Sequence, residues 1–213
     1  MQCIELLDVV PYTFADKQLS SDVWATRYTL QRGMKYLVDA ESGAGKSTLC
    51  SYLIGLRADY NGCIRFDGKD TRMLSLADWR EVRCSQIAML YQELRLFPEL
   101  TAWENIQIKN NLTHYLSDQQ ITQWMEQLQI DGKRDALVGK MSLGQQQRVA
   151  FIRALAQPFD VFVADEPISH LDEGNAAVMA DILQAECARR GVGCVVTSIG
   201  VSMKMNYDKI IKL

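Results

Sequence analysis

One stretch constrains the fold of this chain more than any other: Asp39-Ala40-Glu41-Ser42-Gly43-Ala44-Gly45-Lys46-Ser47-Thr48-Leu49. It follows the apolar run Met34–Val38 and opens a helical pattern over Lys46–Leu56 that puts Leu49, Leu53 and Leu56 on one face, so it joins a strand to a helix. A loop closing on Gly45-Lys46-Ser47-Thr48 at such a junction wraps the backbone N–H groups of Ser42, Gly43, Ala44 and Gly45 around phosphate oxygens. The helix behind it adds roughly half a positive charge at its N-terminus. Lys46 then reaches the β- and γ-phosphates, and the Ser47 hydroxyl ligates Mg2+. The pattern G-x-x-x-x-G-K-[ST] is met everywhere except at its first glycine, which is Ala40.

The 213 residues suffice for one large domain with a sizeable core. A net charge of −3 gives no global attraction to nucleic acid or to an anionic membrane surface, so membrane contact is expected through a protein partner and no nucleic acid is expected to bind. No apolar run approaches the roughly 20 residues of a membrane span, and the start Met1-Gln2-Cys3-Ile4-Glu5 lacks the features of a signal peptide. A cytoplasmic location is the expectation. Cys3, Cys50, Cys63, Cys84, Cys187 and Cys194 form no C-x-x-C pair and are read as reduced, space-filling thiols.

Met1–Val10 and Trp24–Leu30 have strand character, with Ala15–Asp22 as a turn between them. Tyr12 and Phe14 precede the phosphate loop, and either is a candidate to stack on a nucleotide base; each is equally a core or edge aromatic. Beyond the helix, Tyr60-Asn61-Gly62 signals a turn, Cys63–Phe66 a strand, Leu76–Val82 a helix capped by Ser75 and Asp78, and Ile87–Tyr91 a buried strand. Between Gln92 and Lys140 the texture becomes helical, opened by the capping-box patterns Thr101–Glu104 and Ser117–Gln120, with Ile121, Trp124, Met125 and Leu128 as a core stripe. Ser142–Gln157 is a helix stopped by Pro158, Val161–Ala164 a buried strand, Asp172 the cap of a helix to Arg190, Cys194–Thr197 another buried strand, and Lys209–Leu213 the last segment. Continuously apolar strands imply a mostly parallel sheet covered on both faces. The fold expected is α/β: a phosphate-loop core with a mostly parallel central sheet and an inserted α-helical subdomain.

A phosphate loop needs a second acidic element, because the hydration shell of Mg2+ is held by carboxylate at the end of a neighbouring strand. Val161–Ala164 runs into Asp165 for that role, and Glu166 beside it is placed to orient or deprotonate an attacking water. Alone, an Asp-Glu pair after a strand is an ordinary loop.

At Met141-Ser142-Leu143-Gly144-Gln145-Gln146-Gln147-Arg148 the chain resembles the signature of the ATP-binding cassette (ABC) family. The resemblance spans nearly the whole chain: the phosphate loop Ala40–Thr48, a glutamine loop at Gln92, the signature at Met141–Gln145, Asp165-Glu166, and Ser169-His170-Leu171-Asp172 matching the D-loop, in the family's order. The segment from Tyr91 to Pro98 with Glu104-Asn105-Ile106 resembles the branch for lipoprotein release and macrolide efflux. The resemblance implies one ABC ATPase domain over 1–213, with core and an antiparallel β subdomain on the N-terminal side at about 1–92 and 158–213 and the helical subdomain at about 93–157. It implies ATP and Mg2+ as cofactors, Ser47, Gln92 and Asp165 at the metal, and Glu166, Gln92 and Ser198 in catalysis. Ser142, Gly144, Gln145 and Asp172 would join the nucleotide contacts, the signature residues from the opposite subunit of an ATP-dependent dimer, formed with itself or with a second ABC subunit. Gln92–Leu100 would receive an integral-membrane permease on the inner face of the cytoplasmic membrane.

Three positions depart from the family pattern. Ala40 replaces a glycine of the phosphate loop, Leu143 a glycine of the signature, and Ser198 the histidine that contacts the γ-phosphate. A serine carries no charge and reaches less far, so hydrolysis slower than the family's is expected. Of the histidines, His114 is read as a surface residue and His170 as part of the D-loop. The engine of a membrane transporter is the first expectation, an ATP-gated regulatory clamp with little turnover the alternative. A phosphate-loop small-molecule kinase would need neither the signature nor the D-loop.

Overall fold

The computed structural model describes residues 1–16 and 19–213. Nine strands and six α-helices are found among them: β1 Cys3–Pro11, β2 Arg27–Gln31, β3 Lys35–Asp39, α1 Lys46–Leu53, β4 Tyr60–Phe66, β5 Lys69–Asp70, α2 Leu76–Glu81, β6 Ile87–Leu90, α3 Ala102–Asn110, α4 Asp118–Gln127, α5 Leu143–Leu155, β7 Val161–Ala164, α6 Glu173–Arg190, β8 Gly193–Ser198 and β9 Lys209–Lys212. Of the expected turn Ala15–Asp22, residues 17 and 18 lie outside the described residues.

The strands form two sheets, one antiparallel and one parallel. β2-β1-β4-β5 is antiparallel, and the alternation in β1 turns Ile4 and Leu6 inward against Phe66 and Ile64 of β4. The second sheet, β6-β7-β8-β3-β9, is parallel at every pairing. All residues of β7 and β8 are buried, which accounts for their unbroken apolar runs. Its registers bring Asp39 beside Ser198 and Leu90 beside Ala164, so the segments leaving β3, β6, β7 and β8 emerge at one edge. That carboxyl edge of a parallel sheet is where such folds bind ligands.

Several boundaries differ from expectation. Tyr60-Asn61-Gly62 is not a turn: it begins β4, where the register slips between Leu7 and Val10, and Gly62 sits at φ 85° inside the strand. A Cβ there would lie 2.3 Å from the Asp8 carbonyl oxygen, so the glycine serves a bulge rather than a reversal. Trp24 lies outside β2, which starts at Arg27, and packs instead under the phosphate loop. α1 ends at Leu53, because Gly55 turns the chain at φ 63°, leaving Leu56 exposed. α5 ends at Leu155, ahead of Pro158.

Ser75, Thr101 and Ser142 each complete a reciprocal capping box. Ser117 accepts from the Gln120 backbone N–H, but the Gln120 amide turns to Gln123, so that box is only half made. The helical stripe Ile121, Trp124, Met125 and Leu128 is buried, in one continuous apolar cluster with α5, Phe162 of β7 and α6. The six cysteines are free thiols. No described helix is long and apolar enough to cross a membrane.

Candidate functional site

The loop between β3 and α1 owes its shape to two glycines and a buried tryptophan. Gly43 and Gly45 take φ 82° and 100°, values that side chains resist. The Trp24 indole N–H donates to the Ala44 carbonyl at 3.0 Å, and a Cβ on Gly45 would meet Phe14 at 3.0 Å and Trp24 at 3.2 Å. Phe14 and Trp24 stand edge to face, and Trp24 meets Tyr52 of α1 in the same way. Ala40 does not have a positive φ, which is why alanine serves where the family pattern has glycine.

Lys46 is 4% exposed, and its ammonium donates to the carbonyls of Ala40 at 2.9 Å and Glu41 at 2.8 Å, with Glu166 Oε1 at 3.8 Å. The cation is therefore held at the mouth of the loop rather than free in solvent. Asp165 is buried at the end of β7; its Oδ1 accepts from the Thr197 hydroxyl at 2.8 Å, while Thr197 Oγ1 accepts from the Glu166 backbone N–H at 3.0 Å. One threonine on β8 thus fixes both acidic residues, with Glu166 at φ 48°. Beneath them, burial and the Asp165 charge push the Cys50 thiol well above its ordinary pKa, keeping it a neutral packing group.

A cleft of about 370 Å³ gathers Ser42, Gly43, Gly45, Lys46, Ser47, Thr48, Phe14, Gln92 and Glu166, together with Arg57. Most of the expected loop residues thus meet the glutamine and the glutamate, whereas Ala44 and Asp165 are not in this lining. Phe14 is 8% exposed and Tyr12 58% exposed, so the two aromatics are placed very differently: Phe14 wedges against the loop and Tyr12 stands outside it. Ser142, Gly144 and Gln145 are absent from this lining. Ser142 and Gln145 cap each other at the start of α5, and a Cβ on Gly144 would come within 2.9 Å of the His170 carbonyl. Asp172 caps α6 through Asn175, whose backbone N–H holds its carboxyl below the usual carboxylate range. Ser198 is 3% exposed and its hydroxyl donates to Val201 O at 2.7 Å. His114 and His170 are exposed.

Sequence reasoning missed Trp24, Thr197 and Arg57. A tryptophan in a turn and a threonine in an apolar strand carry no pattern of their own. Arg57 donates to Thr48 Oγ1 at 3.2 Å, nine positions back along the chain, a contact that exists only because the chain folds back after α1. Among the described residues no group of three or more His, Cys, Asp or Glu could hold a metal. The oxygens of Ser47, Gln92 and Asp165 are hard donors that suit Mg2+.

The family model described as ABC transporter matches residues 25–169, more than half the chain. The xylose import ATP-binding protein XylG of Shigella flexneri serotype 5b (strain 8401) is 32% identical over 179 residues, which are 80% of this chain and 33% of that protein. The chain thus spans about a third of the length of the curated relatives it matches. Among solved structures, the dimeric structure of MJ0796, a bacterial ABC transporter cassette, superposes with a TM-score of 0.84 at 23% identity, covering 99% of this chain and 94% of that one. MJ0796 in a post-hydrolysis state with ADP and Pi gives a TM-score of 0.82 at 24% identity, with the same coverage. At these identities the likeness is one of fold: the antiparallel sheet, the parallel sheet and the helices between them are those of an ABC cassette. With its phosphate loop, signature and acidic pair in the matching order, the chain belongs to the ABC transporter family.

Proposed function

We propose that this chain powers a membrane transporter by ATP-driven dimerisation and that its catalytic site is completed only by a second subunit. The observation that carries the reading is the composition of the cleft: it holds the phosphate loop, Gln92 and Glu166 but none of Ser142, Gly144 and Gln145, although Ser142 and Gly144 stand at the N-terminus of α5, a terminus suited to anions. A second ABC subunit, identical or related, would supply those groups. Mg2+, held by Ser47, Gln92 and Asp165, would neutralise developing charge on the β- and γ-phosphates. Lys46 binds those phosphates, Glu166 takes the proton of the attacking water, and Thr197 holds Glu166 and Asp165 in place. Tyr12, exposed on the rim, is the aromatic free to stack on the base, while Phe14 supports the loop. Asp172 acts on the opposite site by holding the D-loop end of α6.

The permease would dock at Gln92–Leu100, where Phe97 is 47% exposed, placing the domain against the inner face of the cytoplasmic membrane. The core and β subdomain would comprise about 1–92 and 158–213, the helical subdomain about 93–157. The motif around Tyr91–Pro98 favours the lipoprotein-release and macrolide-efflux branch, whereas XylG is named for import; co-purification of the permease decides the direction. A regulatory clamp with low turnover is the second reading, favoured by Ser198, whose only hydroxyl hydrogen is committed to Val201 O. Steady-state ATP turnover with and without the co-purified permease separates the two. Stimulation marks an engine, and an unchanged low rate marks a clamp.

A further inference from the structure

Leaving β6, the loop that carries Gln92 contains two consecutive non-glycine residues in the left-handed region, Leu94 at φ 59° and Arg95 at φ 50°. Neither is a residue type that favours that conformation. Side chains from outside the loop hold it there. Arg153, on the third turn of α5, donates from Nη1 to the Arg95 carbonyl at 2.7 Å and from Nη2 to the Leu94 carbonyl at 2.5 Å. Farther on, the buried Asn105 of α3 brackets Phe97, accepting from its N–H at 2.9 Å and donating to its carbonyl at 3.0 Å. Tyr91 lies under the Arg95 guanidinium at 4.0 Å, and Leu94 is buried.

Among the described residues Arg153 makes no ion pair; its two side-chain hydrogen bonds both go to this loop, and burial lowers its pKa. A planar fork suits two adjacent carbonyls in a way that a lysine ammonium does not. The helix that carries Arg153 also carries Ser142 and Gly144 at its other end.

We propose that Arg153 is a positioning residue for Gln92: by bridging the Leu94 and Arg95 carbonyls it keeps the glutamine loop in its left-handed form and ties that loop to the signature helix. This rests on the ATPase reading above. In the bound state the orientation of Gln92 toward the metal and the attacking water is then set from α5, so that the glutamine of one site and the signature of the other shift together.

The test uses the full chain and the substitutions Arg153→Met and Arg153→Lys. Hydrogen exchange should accelerate by about tenfold or more at amides 93–97 in the Met variant and less in the Lys variant, with the rest of α5 unchanged. ATP affinity should stay within about twofold, while kcat falls about tenfold; Gln92→Ala should then cost less than about twofold more in the Arg153→Met background, far less than in the wild type. A merely structural role would move the melting midpoint without this non-additivity. Unchanged exchange at 93–97, or fully additive losses from Gln92→Ala and Arg153→Met, overturns the proposal. Should the Met variant not fold, the Lys variant carries the same comparison. Lys46→Ala is the parallel control: ATP binding that survives it overturns the reading of the site itself, whereas its loss together with additive cycles overturns only the role of Arg153.

Discussion

On the proposed function, Lys46 is the residue on which nucleotide binding turns. It is buried and held by two carbonyls and Glu166, so its charge is already oriented before phosphate arrives. Lys46→Ala is expected to abolish ATP binding in equilibrium dialysis with little loss of fold, and retained affinity would contradict the phosphate-loop assignment. On the proposed reading, Ser198 limits the rate of hydrolysis. Losing one preorganised γ-phosphate donor costs roughly 10–1,000-fold in turnover, because such a donor is worth about 2–4 kcal/mol. Single-turnover hydrolysis by wild type and Ser198→His should therefore differ by at least about tenfold in favour of the histidine. Equal rates, with a brisk wild type, would sink the slow-hydrolysis reading.

At the scale of elements, the helix starts at Ser75, Thr101, Ser142 and Asp172 behave as their sequences announce, and three of them add a pH dependence. Backbone N–H groups hold the carboxyls of Asp78, Glu104 and Asp172 below their usual range at the starts of α2, α3 and α6. A carboxyl whose folded pKa is depressed contributes stability above its unfolded value, about 4, and that contribution is lost as pH falls through the folded value. The melting midpoint should fall below about pH 4, and Asp172→Asn should flatten part of that acid limb while keeping a capping oxygen. Gly62 illustrates the opposite case, a residue whose role its neighbours in sequence conceal. With φ 85° and an added Cβ 2.3 Å from the Asp8 carbonyl, Gly62→Ala should cost about 3 kcal/mol or more in urea unfolding. A turn at that position would tolerate the change far better.

For the whole molecule, the proposed two-subunit site makes assembly the property to test. Glu166→Gln removes the proposed general base and leaves the phosphate contacts intact, so ATP should accumulate between two subunits. Gel filtration of that variant with Mg2+ and ATP should show a dimer, and a monomer under saturating ATP counts against the two-subunit site. Legibility follows the same division. The parallel sheet was readable in Val161–Ala164 and Cys194–Thr197 because strands buried on both faces must be apolar throughout. The boundaries at Trp24, Leu56 and Tyr60–Gly62 were not, since a bulge, a buried turn and a helix end leave the same local residue types as a strand, a helix or a reversal.

By itself the sequence determined the order of chemical motifs, most of the helix caps and the parallel sheet, because phosphate loops, caps and buried strands are local and each residue type is demanded by its own backbone. Only the tertiary structure decided which groups share a cleft: that Thr197 fixes Asp165 and Glu166, that Trp24 supports Ala44, that Phe14 is buried and Tyr12 exposed, and that Arg153 grips the glutamine loop. Those contacts join positions far apart in the chain, and their energies depend on burial and direction, which no stretch of residues states on its own.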